Sequence, residues 1–371
     1  MSDSWFLENP VICAYKLGRK KDSLMDYKLL GKSGLRVSEL SLGTMTFGED
    51  WGWGANKDDC RKMFDAFTAA GGNFIDTADG YTNGTSEKLV GEFAASDRER
   101  FVIATKYSFN GKNGDNGKPG DPNAGGNHRK HMVEALNGSL KRLGTDYLDL
   151  YWVHAWDELT PVEEVMRGLD DLVRAGKVLY VGISDAPAWW ISRANTLAEL
   201  RGWTPFVGLQ IEYNLIERTP ERELLPMADA LGLSTTAWSP LASGLLSGKY
   251  TSGSNGENRL SKTPSFQKLS ERNLAIANAV VEIAKEAGKS PAQVALNWLR
   301  AKRGVIPIIG ARKFSQFEDN MRCLDWTLTA RHLARLDEIS HVDLGFPMDF
   351  LHCKEVHDFL HGGMFERIRP L

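Results

Sequence analysis

The sequence predicts a closed (β/α)8 barrel of the TIM type, and three observations carry that expectation. Eight short β-branched or aromatic runs alternate with amphipathic stretches along a chain of 371 residues. No Pro-rich or low-complexity linker divides the series into halves. No G-x-G-x-x-G follows a candidate strand, so the dinucleotide signature of an open, doubly wound sheet is missing.

Taken in order, the expected strands are ELSLGT (39–44), NFIDTA (73–78), FVIATKY (101–107), YLDLYWVH (147–154), VLYVGIS (178–184), FVGLQIEY (206–213), STTAWSP (234–240) and GVIPIIG (304–310). Between them apolar residues recur every three or four positions, which predicts helices over 57–70, 85–96, 128–143, 161–176, 187–200, 221–231 and the pair 271–287 and 291–302. Two more helices are expected at 315–324 and 329–340. The barrel domain then covers 26–340, preceded by an N-terminal extension (1–25) and followed by a C-terminal tail (341–371). Met25, followed by DYKLLGKSGLRVSELSLG, suggests that residues 1–24 lie outside the core. A Gly- and Asn-rich loop at 110–127 and the segment 245–270 are long for connections in a compact domain, and such loops are functional or disordered.

Composition narrows the function. A net charge of −3 gives no reason to expect nucleic acid or an anionic membrane as partner. No apolar run is long enough to span a bilayer, and the first residues lack the order of a signal peptide, so a cytoplasmic protein is expected. Cys13, Cys60, Cys323 and Cys353 are widely spaced and read as reduced thiols, not as a disulfide framework or a zinc site.

In such a barrel the C-terminal ends of the strands meet at one mouth, where barrel enzymes place their chemistry. Asp76 closes the second expected strand and Tyr81 follows in its loop; Lys106 lies near the end of the third and His154 at the end of the fourth. Singly, each of these residue types is most often structural. Together they make a proton-donating site. A phenol is a poor acid at neutral pH, but an ammonium at about 4 Å in an effective dielectric of 20 contributes roughly 4 kcal/mol, or about three pKa units before desolvation, toward the phenolate. Lys106 is therefore expected to tune Tyr81, Asp76 to keep Lys106 charged, and neutral His154 to hydrogen-bond a substrate carbonyl.

The runs NFIDTADGY, ATKY, LDLYWVH, GKVLYVGIS, LQIEYN, WSPLASGLLSGKY and IPIIGARKFSQFEDN resemble the motifs of the aldo-keto reductases, in their order along the chain. GISDAPAWWISRANTLAELRGW and the tail LGFPMDFL look closest to bacterial members similar to the fungal aryl-alcohol dehydrogenases. The resemblance implies metal-free, NADPH-dependent reduction of aldehydes and ketones, with Asp76, Tyr81, Lys106 and His154 on the family's catalytic tetrad and Tyr81 as general acid. It also implies cofactor positions: Gly43, Thr44 and Met45 at the nicotinamide ribose, with Asp76 beneath; Ser184 and Gln210 at the carboxamide; and Trp238 against the ring. Around the pyrophosphate it implies Ser239, Pro240, Leu241, Ala242, Ser243 and Lys249, continued by Arg259. Gly310, Arg312, Gln316, Asp319 and Asn320 match the adenosine end, where a guanidinium suits a 2′-phosphate and favours NADPH over NADH. The helix expected at 315–324 would turn its N-terminus to that phosphate.

One departure stands out. Asp185 follows Ser184 where the family commonly has Asn, and a carboxylate accepts from an amide but cannot donate to one. Trp51 and Trp53 after the first strand, and Trp156 two residues after His154, are candidate walls for planar or apolar carbonyl substrates; the alternative is that they pack loops against the rim. HDFLH at 357–361 spaces two imidazoles for a metal but offers no clear third ligand, and no metal is expected. The main rival to a carbonyl reductase is a binding module that senses the nicotinamide form, as in the related potassium-channel beta subunits; His154 argues against it, since those subunits carry another residue there. A metal-dependent barrel hydrolase leaves Lys106 and Tyr81 without a use.

Overall fold

A computed structural model describes residues 25–109, 120–249 and 269–368. The extension at 1–24, part of the Gly- and Asn-rich loop, and Arg259 lie outside the described residues.

Eight parallel strands close into a barrel: β3 (Ser41–Gly43), β4 (Phe74–Asp76), β5 (Val102–Tyr107), β6 (Leu148–Val153), β7 (Val178–Ser184), β8 (Phe206–Glu212), β9 (Ser234–Trp238) and β10 (Val305–Ile309), with β10 pairing back onto β3. Each expected strand is present, trimmed by up to two residues at its ends. The strand over 39–44 is cut to Ser41–Gly43, and Thr44 just beyond it donates both its amide and its hydroxyl to the carbonyl of Asp76 at 3.0 Å. Before the barrel, β1 (Tyr27–Leu29) and β2 (Arg36–Ser38) form an antiparallel hairpin that the periodicity did not reveal. Strands of three residues are too short to show an alternation.

That hairpin plugs the end of the barrel opposite the mouth. Leu30 and Val37, both fully buried, pack with Phe74, Val102, Leu150, Trp152 and Ile306 in an interior cluster. Hydrogen bonds secure the plug: Lys28 Nζ donates to the carbonyl of Val305 at 2.6 Å, and the amide of Gly31 donates to Ser234 Oγ at 2.8 Å.

Around the barrel run α1 (Lys57–Ala69), α2 (Thr85–Ala94), α3 (Arg129–Leu143), α4 (Val162–Arg174), α5 (Ala188–Arg201), α6 (Leu224–Leu231), α7 (Glu271–Ala287) and α8 (Pro291–Ala301). Their starts follow capping chemistry. Asn56, Ser270 and Ser290 each accept the amide three residues on, and Pro291 occupies the first turn of α8, where its missing N–H costs nothing. Their buried faces form one large apolar layer against the outside of the sheet. After β10 come α9 (Phe314–Met321) and α10 (Ala330–Ile339), and the tail adds α11 (Met348–Leu351) and α12 (Lys354–His361).

Strand register positions the mouth. Lys106 on β5 stands opposite Trp152 on β6, which stands opposite Gly182 on β7, which stands opposite Gly208 on β8. The indole of Trp152 fills the barrel interior only because its neighbours lack side chains: a Cβ at Gly182 would come within 2.3 Å of the ring and one at Gly208 within 2.8 Å. Lys106 therefore shares its layer with a rigid, fully buried aromatic ring.

Candidate active site

β4 ends in Asp76, which is 3% exposed, and β5 delivers Lys106 with no exposed surface at all. Lys106 Nζ donates to Asp76 Oδ2 at 2.5 Å, to the carbonyl of Thr77 at 2.8 Å and to Tyr81 Oη at 3.1 Å. Gln210 Nε2 on β8 donates to the other carboxylate oxygen, Oδ1, at 2.9 Å. The carboxylate is thus held from two sides, and the ammonium is fully engaged.

Tyr81 reaches this position through a constrained turn. Its amide donates to the carbonyl of Ala78 at 3.2 Å, and the next two residues, Thr82 and Asn83, sit at φ 45° and 55°. A β-branched residue in the left-handed region is strained unless its surroundings enforce it. Here Thr82 Oγ1 donates to the carbonyl of Phe47 at 2.6 Å and accepts the amide of Ser86 at 3.0 Å. The rotation that costs Thr82 its preferred backbone thereby fixes the chain beside the phenol.

His154 follows β6, its backbone amide donating to the carbonyl of Tyr107 at 2.8 Å and to Ser108 Oγ at 3.1 Å. Its ring meets that of Tyr81 edge-on, with centroids 6.0 Å apart, and Nδ1 is buried with no hydrogen-bond partner among the described residues. The four expected residues therefore converge, though by different means: Asp76, Lys106 and Tyr81 are hydrogen-bonded, whereas His154 joins by ring contact.

Electrostatics follow from burial. Desolvation and the nearby ammonium of Lys106 hold His154 well below the usual imidazole range, so the ring is neutral at pH 7. Burial pulls Lys106 downward, but Asp76 and Tyr81 outweigh it, and the ammonium is stabilised overall. For Tyr81 burial wins over Lys106 and the phenol lies above its usual value. This corrects the expected net lowering: the Coulomb attraction is present, but removing the phenolate from water costs more.

The stack forms the floor of a cleft of about 1500 Å³. Gly43, Thr44 and Met45 line it from β3, Ser184 and Asp185 from the end of β7, Gln210 from β8 and Trp238 from β9. It continues past Ser239, Pro240, Leu241, Ser243 and Lys249 to Gly310, Arg312, Gln316, Asp319 and Asn320 near α9. The residues expected to hold a dinucleotide thus form one continuous wall, with three corrections. Ala242 is fully buried behind the loop and does not reach the cleft. Asp319 already accepts from Ser290 Oγ at 2.7 Å and Gln293 Nε2 at 2.8 Å, so it fixes the start of α8 against α9. The helix expected at 315–324 is α9, which stops at Met321 and gives way to a 3-10 turn over Arg322–Asp325.

Trp51 and Trp53 face the cleft and tilt against each other, centroids 5.4 Å apart. Trp156 does not line it; its ring packs edge-on against Trp189 at 5.7 Å, the loop-packing alternative. Phe109 takes the place expected of Trp156. It lines the cleft and lies against His154 with centroids 4.4 Å apart, and its signal was an aromatic three residues beyond Lys106. Asp79 also lines the cleft; burial and Glu87 push its carboxyl up to about 7. The acid stood next to the Gly80–Tyr81 pair in the sequence but had no assigned partner.

The profile of the Aldo/keto reductase family matches residues 39–341. The chain belongs to that family. Among similar proteins are the aryl-alcohol dehydrogenase [NADP(+)] of Phanerodontia chrysosporium, 37% identical over 90% of this chain and 88% of the relative, and the putative aryl-alcohol dehydrogenase AAD14 of Saccharomyces cerevisiae, 36% identical over 87% and 89%. The norsolorinic acid reductase stcV of Emericella nidulans is 38% identical over 86% and 82%. In this aldo/keto reductase Asp76, Tyr81 and His154 line the cleft at the barrel mouth. The His357–His361 pair lies outside it: the two rings meet edge-on and both pack against Phe365, and among the described residues no group of three or more His, Cys, Asp or Glu could hold a metal ion. Among the same residues no helix is long and apolar enough to cross a membrane.

Proposed function

We propose that this aldo/keto reductase interconverts aromatic or apolar carbonyl compounds and their alcohols with NADPH/NADP+, Tyr81 serving as the general acid in reduction. The protein is an NADP-dependent oxidoreductase by family, and its relatives are named for aryl-alcohol and norsolorinic acid chemistry. The observation that carries the assignment of roles is the hydrogen-bonded line from Asp76 through Lys106 to Tyr81, at 2.5 and 3.1 Å, lying beneath a cleft that runs to Arg312.

The cleft fits the cofactor. Its volume of about 1500 Å³ has room for a dinucleotide, it offers the hydroxyl of Ser184 and the amide of Gln210, and its lining reaches the exposed guanidinium of Arg312. Arg312 and the start of α9 would hold the 2′-phosphate, and Trp238 would flank the nicotinamide. When bound, the reduced nicotinamide supplies the hydride.

The chain's own residues supply the proton and the geometry. Tyr81 holds its proton through neutral pH because its pKa is raised, and Lys106 stabilises the phenolate as the proton leaves for the carbonyl oxygen. Asp76 keeps Lys106 charged and aimed. Neutral His154, which lines the cleft with its ring against that of Tyr81, is suited to hydrogen-bond the substrate oxygen. Trp51, Trp53 and Phe109 form apolar walls for a planar substrate.

The test is NADPH oxidation with a panel of aromatic and aliphatic aldehydes and ketones. Tyr81→Phe should lose about 10²- to 10⁴-fold in turnover, the range for a positioned general acid. An unchanged rate would remove Tyr81 from the mechanism, and tight NADPH binding without turnover of any carbonyl would favour a cofactor-sensing module.

A further inference from the structure

We infer that Asp185 gives the cofactor site a built-in preference for the oxidised, cationic nicotinamide over the reduced, neutral one. The inference rests on the proposed placement of the nicotinamide between Ser184, Gln210 and Trp238, and concerns what a carboxylate does there.

Asp185 follows the last residue of β7 and sits at φ 42°, a left-handed conformation that Asp and Asn tolerate better than most residues. Its backbone is pinned on both sides: its amide donates to the carbonyl of Gln210 at 3.2 Å and its carbonyl accepts from the amide of Trp156 at 3.3 Å. Its side chain lines the cleft, where Oδ1 accepts from Trp238 Nε1 at 3.2 Å. The carboxylate is thus tied to the indole expected against the nicotinamide, and it remains accessible from the cleft.

Charge balance on the floor decides the consequence. The titratable and charged groups facing this region are Asp76, Asp79 and Tyr81 from β4 and its loop, Lys106 from β5 and His154 from β6. Lys106 is already neutralised by Asp76 at 2.5 Å, His154 is neutral, and Tyr81 is protonated. Of the two carboxylates that remain, Asp79 has Glu87 and Arg142 as its charged neighbours, whereas Asp185 is the one tied to Trp238, beside the expected nicotinamide. The oxidised ring brings a positive charge and the reduced ring brings none, so only the former gains from the carboxylate.

Unit charges roughly 8–12 Å apart in an effective dielectric of about 20 change an affinity by about tenfold to thirtyfold. The wild type should favour NADP+ relative to NADPH by that factor over a variant without the charge. Such a site holds on to its oxidised cofactor after reduction and turns most readily toward alcohol oxidation when the two forms are equally abundant.

The experiment measures dissociation constants for NADP+ and NADPH by tryptophan fluorescence or calorimetry, without substrate. Asp185→Asn keeps the shape and an acceptor for Trp238 while removing the charge. The expected result is a roughly tenfold or larger loss in the preference for NADP+, carried by weaker NADP+ binding. A second measurement needs no variant. Burial raises the Asp185 carboxyl to about 6 and that of Asp79 to about 7, so the wild-type preference should be full at pH 8 and fade toward pH 5, and Asp185→Asn should lose the part of that fade that Asp185 contributes. The 2′-phosphate titrates in both forms and cancels in the ratio. If both forms bind but the ratio and its pH dependence are the same in wild type and Asp185→Asn, the inference is overturned alone; if the wild type binds neither form, the nicotinamide reading falls and takes the inference with it.

Discussion

Replacing Lys106 by Met separates what the ammonium does for chemistry from what it does for folding. Lys106 Nζ lies 3.1 Å from Tyr81 Oη, and at an effective dielectric of 20 a unit charge there favours the phenolate by about 5 kcal/mol, or about four pKa units. If the proton is half transferred in the transition state, the loss appears as a roughly 10²-fold slower reduction, with its alkaline limb pushed to higher pH. Folding suffers by a different route. Asp76, only 3% exposed, keeps the hydrogen bond from Gln210 but loses its counter-charge, and an uncompensated buried charge costs about 3–5 kcal/mol. The double variant Asp76→Asn with Lys106→Met removes that charge and should regain most of the stability while remaining slow. Urea unfolding and single-turnover NADPH oxidation on the three proteins read the two effects independently. Equal stability of Lys106→Met and wild type would refute the claim that the pair is held together by mutual neutralisation. A single variant as fast as wild type would refute the coupling to Tyr81.

Further outcomes follow from the same geometry. Gly182→Ala places a methyl within 2.3 Å of the buried Trp152 ring and should lower stability by about 1–3 kcal/mol, measured by thermal unfolding; an unchanged midpoint would show that the interior layer is slack. His154 is neutral well below pH 6.5, so the rate of reduction should show no imidazole inflection between pH 6 and 8; an inflection that persists in Asp185→Asn and vanishes in His154→Gln would contradict this. Arg312→Ala should raise KM for NADPH by about 10- to 150-fold and leave that for NADH almost unchanged, since a lost charge-assisted hydrogen bond is worth roughly 1.5–3 kcal/mol. A parallel rise for both cofactors would move Arg312 away from the 2′-phosphate.

The barrel was legible because its signal is repeated: every buried strand is a short apolar run and each is followed by a helical period, so an error in one unit is corrected by the next. The hairpin at 27–38 escaped because it is not part of that repeat. The proton-donor stack was legible for a related reason: Asp76, Lys106 and His154 lie at or near the ends of successive strands, and topology alone brings them to one rim. What the sequence could not provide was direction and balance. Trp156 stands two residues after His154, yet the chain turns it toward Trp189, and Phe109 takes the wall beside the imidazole. Ala242 lies within a cofactor motif but packs inward, because φ 49° there turns the loop tightly. The sign of the shift at Tyr81 depends on how much water the folded phenol has lost, a quantity that no linear spacing encodes.

The interior layer of Trp152 against Gly182 and Gly208 has a consequence for how this protein could diversify. Lys106 rises from a layer built of strand residues, so its height in the barrel is set by packing that no rim loop touches. Trp51 and Trp53 stand on a separate connection. Exchange of the stretch 49–54, which leaves the Phe47 carbonyl to hold Thr82, can therefore redraw what enters the mouth while the proton machinery keeps its place. Selectivity and acidity are separable at that stretch, and a library confined to it should yield new substrates far more often than dead enzyme.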